Sequence, residues 1–341
     1  MIRSFLYLVV VLSLVSCLDS KENKLQRFLI QGNDAAKRRS FGEAKRYYTE
    51  ALKMDSCFVD AWNNLGTVYY KEKHYPEALD AYTNALQCDP KMRQALLNRS
   101  NTFYELNKYR EALEDINKFA ASGRDTLVTH LSRGLIYTRT NRFTDAGAEF
   151  KKVIEQEPSH IEAMVNLGTV YFYEKKYDSA KLYLDKAIAL DPKQANAFNT
   201  YALIELELDD KEQALRRINQ ALEFRGDDPY FLNNRGFILI KMKEFDKARL
   251  DIDRSIGEDP YNAWAYRNKG FYYLTMNNFN EAIRLLKKAE RMDTTVSNLY
   301  YYLGEASFLA GDKEAACDYL KKALRKREIS EDTFNGKCMR K

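Results

Sequence analysis

Large apolar and small residues recur along the chain at the spacing of a helix that buries one face. In residues 62–69 they stand at positions i, i+3, i+4 and i+7, as Trp62, Leu65, Gly66 and Tyr69. A second set follows a few residues later with the same helical spacing, as Ala78, Tyr82 and Ala85. Pro76 stands where a helix begins, a position at which its missing N–H costs nothing. This pattern predicts two helices joined by a short turn.

The same unit recurs every 34 residues without insertion or deletion. An alanine of the second helix repeats as Ala44, Ala78, Ala112, Ala146, Ala180, Ala214, Ala248, Ala282 and Ala316. A small residue of the first helix repeats as Gly32, Gly66, Ser100, Gly134, Gly168, Ala202, Gly236, Gly270 and Gly304. Glycine within a helix costs roughly 1 kcal/mol relative to alanine. We therefore expect the small residues to let the two helices approach closely while large neighbours fill the remaining space.

The motif Trp62-x2-Leu65-Gly66-x2-Tyr69, followed by Ala78-x3-Tyr82 and Pro90, resembles the tetratricopeptide repeat. Nine such units cover residues 25–330 and begin at Leu25, Val59, Arg93, Leu127, Ile161, Ala195, Pro229, Ala263 and Ser297. The resemblance implies an all-α, right-handed α-α superhelix (a solenoid), with the first helices lining a concave groove. The sixth unit departs most from the motif, with Glu205 and Lys211 at aromatic positions, and is interpreted as a weak point or hinge.

The first 16 residues have the pattern of a signal peptide. Arg3 precedes the apolar stretch Phe5–Ser16, which is shorter than the roughly 20 residues of a membrane-spanning helix. Leu14-Val15-Ser16-Cys17 resembles the lipobox of bacterial lipoproteins, which implies that Cys17 carries a lipid and that residues 17–24 form a tether. We therefore expect a membrane-anchored protein of the cell envelope, on the periplasmic or outer-membrane side. The alternatives are a secreted protein and a short uncleaved anchor.

The balanced charge and the lack of catalytic or phosphate-binding motifs limit the classes of function that the sequence supports. The 341 residues contain 54 Lys and Arg against 49 Asp and Glu, a net charge of +5, too balanced to indicate nucleic acid as the main partner. No phosphate-binding loop, G-x-S-x-G or H-E-x-x-H motif occurs. The three histidines are scattered and are expected at turn or surface positions. These features predict a non-catalytic protein without cofactor, metal or small-molecule substrate.

Four cysteines remain besides Cys17, and none has the spacing of a zinc site. An exported protein could pair them, but their connectivity cannot be read from the sequence. Isolated buried or free thiols are the expectation for at least Cys57 and Cys88. Residues 331–341 are expected to form a polar tail, part of which caps the last repeat.

Two functions remain open. One is an interaction scaffold that binds an extended peptide segment of a protein partner in the concave groove. The other is an accessory or regulatory subunit of an envelope enzyme or secretion complex, using the same surface.

A ladder of polar residues stands two positions before the small residue of each first helix. It consists of Asn64, Asn98, Ser132, Asn166, Thr200, Asn234 and Asn268. In related arrays, asparagines at this position hold the backbone of a bound peptide, a task that suits an amide because it donates and accepts hydrogen bonds. The alternative is that these side chains bond their own helices.

The neighbouring groove positions differ along the chain. Early units offer a polar and mildly basic lining that includes Asn33, Lys37 and Lys71, whereas later units offer an apolar lining that includes Phe237 and Phe271. Leu29 stands where a carboxylate clamp of related co-chaperones needs lysine. The expected ligand is therefore an extended internal segment rather than a C-terminal carboxylate.

Overall fold

The computed structural model describes residues 20–123 and 126–339, and within them it contains nineteen α-helices and no strand. The all-α prediction is confirmed. The chain divides into two compact units, of which the first ends at Pro158 and the second begins at Ser159. Cys17, the signal peptide and residues 17–19 of the predicted tether lie outside the described residues. Within the described residues, no helix has the length and apolar character needed to cross a membrane.

The N-terminal unit contains four helix–turn–helix pairs. Its helices are α1 (Lys21–Lys37), α2 (Phe41–Met54), α3 (Val59–Lys71), α4 (Tyr75–Cys88), α5 (Arg93–Glu105), α6 (Tyr109–Ala121), α7 (Leu127–Arg139) and α8 (Phe143–Gln156). Helix α1 begins at Lys21 with Ser20 as its N-cap, the hydroxyl of Ser20 accepting from the backbone N–H of Asn23. Residues 21–24, predicted as part of a tether, are therefore helical.

The C-terminal unit contains five pairs and one further helix. Its helices are α9 (Ile161–Tyr173), α10 (Tyr177–Leu190), α11 (Ala195–Glu207), α12 (Lys211–Phe224), α13 (Pro229–Lys241), α14 (Phe245–Glu258), α15 (Ala263–Thr275), α16 (Phe279–Met292), α17 (Leu299–Leu309), α18 (Lys313–Arg325) and α19 (Glu331–Cys338). The tail predicted from residue 331 thus contains a helix, which begins at Glu331 with Ser330 as its N-cap, the hydroxyl of Ser330 accepting from the backbone N–H of Thr333.

The close approach within each pair depends on the small residue of the first helix. A Cβ added at Gly66 would lie 2.7 Å from Cε1 of Tyr82, and one added at Gly236 would lie 2.6 Å from Cγ1 of Ile252. The nine alanines of the second helices are completely buried. The large residue that covers the small position is also buried in each pair, as Tyr48, Tyr82, Ile116, Phe150, Leu184, Ile218, Ile252, Leu286 and Leu320. The packing role predicted for the small residues is therefore confirmed.

The turn within each pair uses a left-handed residue at a fixed position of the repeat. The nine residues are Arg39, Lys73, Asn107, Asn141, Lys175, Asp209, Lys243, Asn277 and Gly311. In the second pair, Lys73 N–H donates to Tyr70 C=O and His74 N–H donates to Tyr69 C=O, both at 2.9 Å. This is a Schellman motif, which satisfies carbonyl groups at the end of the first helix. Because glycine occupies only one of the nine positions, the sequence did not reveal the turn.

The expectation of isolated thiols at Cys57 and Cys88 is wrong, since the two cysteines form a disulfide with Cα atoms 5.5 Å apart. Cys57 lies in the loop before α3 and Cys88 is the last residue of α4. Cys57 thus lies just after the second helix of the first repeat and Cys88 at the end of that of the second, and the stacking of the repeats brings both to one edge. A second disulfide joins Cys317 of α18 to Cys338 of α19 and fastens the last helix to the last repeat.

The surface or turn position expected for the histidines holds for two of the three. His74 and His160 precede α4 and α9 as N-cap residues. His130 is instead buried in α7, with Nδ1 2.6 Å from a carboxylate oxygen of Glu149 on α8. The sequence did not indicate this pair because the two residues are 19 positions apart and only the helix pairing brings them together.

Gly236→Ala should destabilise the protein by about 1–3 kcal/mol, because the new methyl group must displace the buried side chain of Ile252. Gly257→Ala, in the same unit, is the matched control, since nothing lies within 4 Å of its added Cβ. The control should be neutral or stabilise the helix by up to about 1 kcal/mol. Denaturant unfolding of both variants measures the difference, and equal effects would contradict the packing argument.

Replacing Cys57 and Cys88 together by alanine should lower the free energy of unfolding by about 2–4 kcal/mol, because the disulfide closes a loop of 31 residues in the unfolded chain. Denaturant unfolding without reductant compares the variant with the parent. Reductant should destabilise the parent more than it destabilises this variant. A parent protein with free, alkylatable thiols at both positions would show that the disulfide does not form.

Candidate functional site

The candidate site is the face on which the first helices of neighbouring repeats lie side by side. In the N-terminal unit α1 contacts α3 and α3 contacts α5, and in the C-terminal unit α9, α11, α13, α15 and α17 make the corresponding contacts. Most of the predicted groove residues project from these helices. We call this surface the first-helix face and describe it separately for each unit.

In the N-terminal unit, the predicted ladder residues form hydrogen bonds across neighbouring first helices. Asn64 Nδ2 donates to Oδ1 of Asn33 at 2.9 Å, and Asn98 Nδ2 donates to Oδ1 of Asn63 at 3.0 Å. Asn63 Nδ2 in turn donates to Oδ1 of Asn64 at 3.2 Å, which joins the two bonds. A continuous amide network therefore crosses the first three repeats.

The large residues that cover the glycines contribute to this network. Tyr48 OH donates to Oδ1 of Asn33 at 2.7 Å, and Tyr82 OH donates to the hydroxyl of Thr67 at 3.3 Å. Burial raises the pKa of each tyrosine to about 12. Both hydroxyls therefore remain protonated donors at neutral pH and hold the groove side chains from beneath.

In the C-terminal unit the same type of network crosses α11, α13 and α15. Asn234 Nδ2 donates to Oδ1 of Asn199 at 2.8 Å, and Asn268 Nδ2 donates to Oδ1 of Asn233 at 2.7 Å. On α9 and α11, the hydroxyl groups of Thr169 and Thr200 lie 3.1 Å apart. The ladder thus bonds its own helices, as the alternative held, and these bonds also fix the amides at regular intervals along the face.

The remaining predicted lining residues differ in their surroundings. Lys37 and Lys71 are exposed, and the Lys37 amine lies 4.0 Å from a carboxylate oxygen of Asp34. Ser132 and Asn166 are half-buried, and the Nδ2 atom of Asn166 is buried without a hydrogen-bond partner in the part of the chain that is described.

The apolar lining expected around Phe237 and Phe271 is wrong in one respect, because two cations lie among the aromatic rings. The Lys241 amine lies 5.3 Å from the ring centroid of Phe237 and 4.9 Å from that of Phe271. The Arg267 guanidinium lies 5.0 Å from the Phe237 centroid.

Sequence reasoning missed two groups of residues on the first-helix face. Asn199 and Asn233 complete the hydrogen bonds of the ladder in the C-terminal unit, and the adjacent asparagines at 233–234 were a signal that could have revealed this arrangement. Lys241 and Arg267 were missed because they belong to different repeats, 26 positions apart in the sequence, and only the stacking of those repeats brings them to the same rings. Among the described residues, no cluster of histidine, cysteine or carboxylate side chains could hold a metal ion.

Successive helix pairs whose first helices share one face define an α-solenoid, a class of helical repeat protein. Models of the tetratricopeptide repeat match residues 59–92, 97–161, 161–194 and 268–330. The chain is therefore a tetratricopeptide repeat protein. Repeats of this family are generally non-catalytic modules that bind proteins or peptides. No curated protein matches the chain at a significant level.

Solved structures with similar folds include the APC/C hetero-tetramer Cut9–Hcn1 and PilF of Pseudomonas aeruginosa. The match to the first has 16% sequence identity and a TM-score of 0.60. It spans 95% of the present chain and 63% of the Cut9–Hcn1 chain. The match to PilF has 19% sequence identity and a TM-score of 0.50. It spans 60% of the present chain and 92% of the PilF chain. At these identities the likeness concerns the fold alone.

Proposed function

We propose that this protein is a non-catalytic interaction scaffold that binds an extended internal segment of a partner protein on the first-helix face. The observation that carries the proposal is the amide network, which crosses neighbouring first helices within each unit. Amides suit recognition of a peptide backbone because they donate and accept without regard to side-chain identity. The hydrogen bonds among these amide groups fix their orientation in the unliganded protein.

This preorganisation favours binding. An asparagine already held in one orientation loses little side-chain freedom when a peptide docks, and that loss is otherwise about 0.5–1.5 kcal/mol for each immobilised side chain. Asn98, for example, donates to Asn63 and accepts from Nε2 of Gln94 at 3.0 Å. The peptide therefore meets a surface whose geometry is largely fixed. Specificity then depends on the other lining residues, which differ between the two units.

We further propose that the protein acts outside the cytoplasm, anchored in the cell envelope by a lipid on Cys17. The lipobox-like residues at 14–17 motivate this proposal. The two disulfides support it, because stable disulfides are typical of oxidising compartments.

Replacing both Asn166 and Asn234 by alanine should weaken capture of the natural partner. The measurement is cross-linking of the full chain in its own membranes, followed by detergent solubilisation and identification of the captured proteins. Capture of a hydrolase or of secretion components would favour the role of accessory subunit over that of a general scaffold.

The double variant needs a control for stability, because Asn234 also bonds Asn199. Asn199→Ala removes the same hydrogen bond but leaves the ladder amide in place. If the ladder holds the peptide, Asn234→Ala should reduce capture more than Asn199→Ala at similar melting temperatures. Equal capture by the parent and the double variant would exclude the ladder as the binding surface.

Lipidation of Cys17 is tested by mass spectrometry of the mature N-terminus. The expected result is a chain that begins at residue 17 and carries the mass of acyl groups, and a Cys17→Ser variant that lacks them. A free amino terminus at another residue, or an intact Met1, would exclude the lipoprotein assignment.

A further inference from the structure

The C-terminal unit carries two positive charges among aromatic rings on its first-helix face. We call this group the aromatic–cation cluster, and it consists of Phe237, Lys241, Arg267, Phe271 and Tyr302. Phe237 and Phe271 are 5.7 Å apart between ring centroids, and Phe271 stacks on Tyr302 at 4.6 Å. The rings come from α13, α15 and α17, so three successive repeats build the cluster.

Neither cation of the cluster has a carboxylate partner. Among the described residues, no Asp or Glu oxygen lies within ion-pair distance of Lys241 or Arg267, whereas the half-buried Lys45 of α2 pairs with Glu72 at 2.8 Å. Glu207 and Glu328 act on the two cations only at longer range. Glu328 accepts the backbone N–H of Tyr301 at 2.9 Å instead.

The guanidinium of Arg267 has unused hydrogen-bonding capacity. The side chain is only 5% exposed, and its Nε and Nη1 atoms are buried without a hydrogen-bond partner. The aromatic rings stabilise its charge, but they accept no conventional hydrogen bond from the Nε and Nη1 atoms. A buried charge with unsatisfied donors is costly. An incoming acceptor at this point would therefore gain binding energy that an exposed arginine could not provide.

The surroundings of Lys241 favour an anion as well. Its side chain is exposed at the surface, next to the rings of Phe237 and Phe271. Desolvation and the nearby positive charge of Arg267 lower the pKa of the amine. A carboxylate between the two cations would remove their mutual repulsion. Because Lys241 is exposed and Arg267 is buried, a ligand would meet the Lys241 amine first.

We infer that the aromatic–cation cluster binds an acidic side chain, flanked by an apolar residue, in the extended segment of the partner. The carboxylate would accept from the Lys241 amine and from the unpartnered donors of Arg267. The flanking apolar side chain would pack on the half-buried rings of Phe237 and Phe271. This inference rests on the proposed function, and it gives the partner segment a definite chemistry at the C-terminal unit.

The inference can be tested with the full chain and three short dye-labelled peptides of otherwise equal composition. The first has blocked ends and contains aspartate beside phenylalanine, and the second replaces each aspartate by asparagine. The third has asparagine and a free terminal carboxylate. Fluorescence anisotropy at low and high salt should show that the first peptide binds about tenfold more tightly than the second, as charge-assisted hydrogen bonds imply. Salt should reduce this preference.

Lys241→Gln should abolish the preference for aspartate, and Arg267→Lys should reduce it. Lys287→Gln is the matched control, because Lys287 is exposed on α16 and carries the same charge. The control should behave like the parent. Circular dichroism establishes that each variant is folded, and the exposed position of Lys241 keeps the test valid if the Arg267 variant does not fold.

Several results would overturn the inference. They are equal binding of the aspartate and asparagine peptides, a preference that survives Lys241→Gln, tighter binding of the free-carboxylate peptide, and no binding of any peptide. If no peptide binds, the scaffold role is still tested by the cross-linking experiment, because that experiment uses the natural partner and variants of the ladder asparagines. Failure of the cluster and failure of the scaffold role are therefore distinguishable.

Discussion

The close approach of the two helices in each repeat is the constraint on which the other features depend. Where glycine occupies the small position, a Cβ would meet the large residue of the second helix at less than 3 Å. In the third repeat Ser100 occupies this position, and its hydroxyl donates to the carbonyl of Ala112 at 2.8 Å. The helix pair therefore tolerates only a small side chain there, either the methyl group of Ala202 or a serine whose hydroxyl is bonded within the pair.

This constraint extends directly to the candidate site. The tyrosine that fills the space above Gly32 also donates to Asn33, and the one above Gly66 donates to Thr67. Asn64 of the second repeat then donates to Asn33, and Asn98 of the third repeat donates to the hydroxyl of Thr67. Core packing and the polar surface are thus parts of one hydrogen-bonded arrangement in the N-terminal unit. A change at a glycine would shift the tyrosine and, through its hydroxyl, the amides available to a ligand.

The fold could be predicted from the sequence because its determinants are periodic and local. The alanine and glycine registers stand at fixed positions of each repeat, so a single unit explains all nine. The left-handed turn residues are equally periodic, but Lys73, Asn107 and Asp209 do not identify a positive φ as glycine would. The disulfides and the His130–Glu149 pair depend on distances between helices. Those distances are fixed by packing and leave no spacing signature in the sequence.

The site was predicted less completely because its chemistry arises between repeats. Each repeat contributes one or two side chains to the site. The chemical role of each side chain depends on the residues that the next repeat places beside it. The ladder asparagines donate hydrogen bonds to other asparagines at 63, 199 and 233, so part of their hydrogen-bonding capacity is used within the protein. Within the described residues, Lys241 and Arg267 lie against aromatic rings and have no ion-paired carboxylate, and the inference drawn above assigns their charge to recognition of a ligand. Under that inference, the same position of the repeat stabilises the array where asparagine occupies it and is available to a partner where Arg267 does.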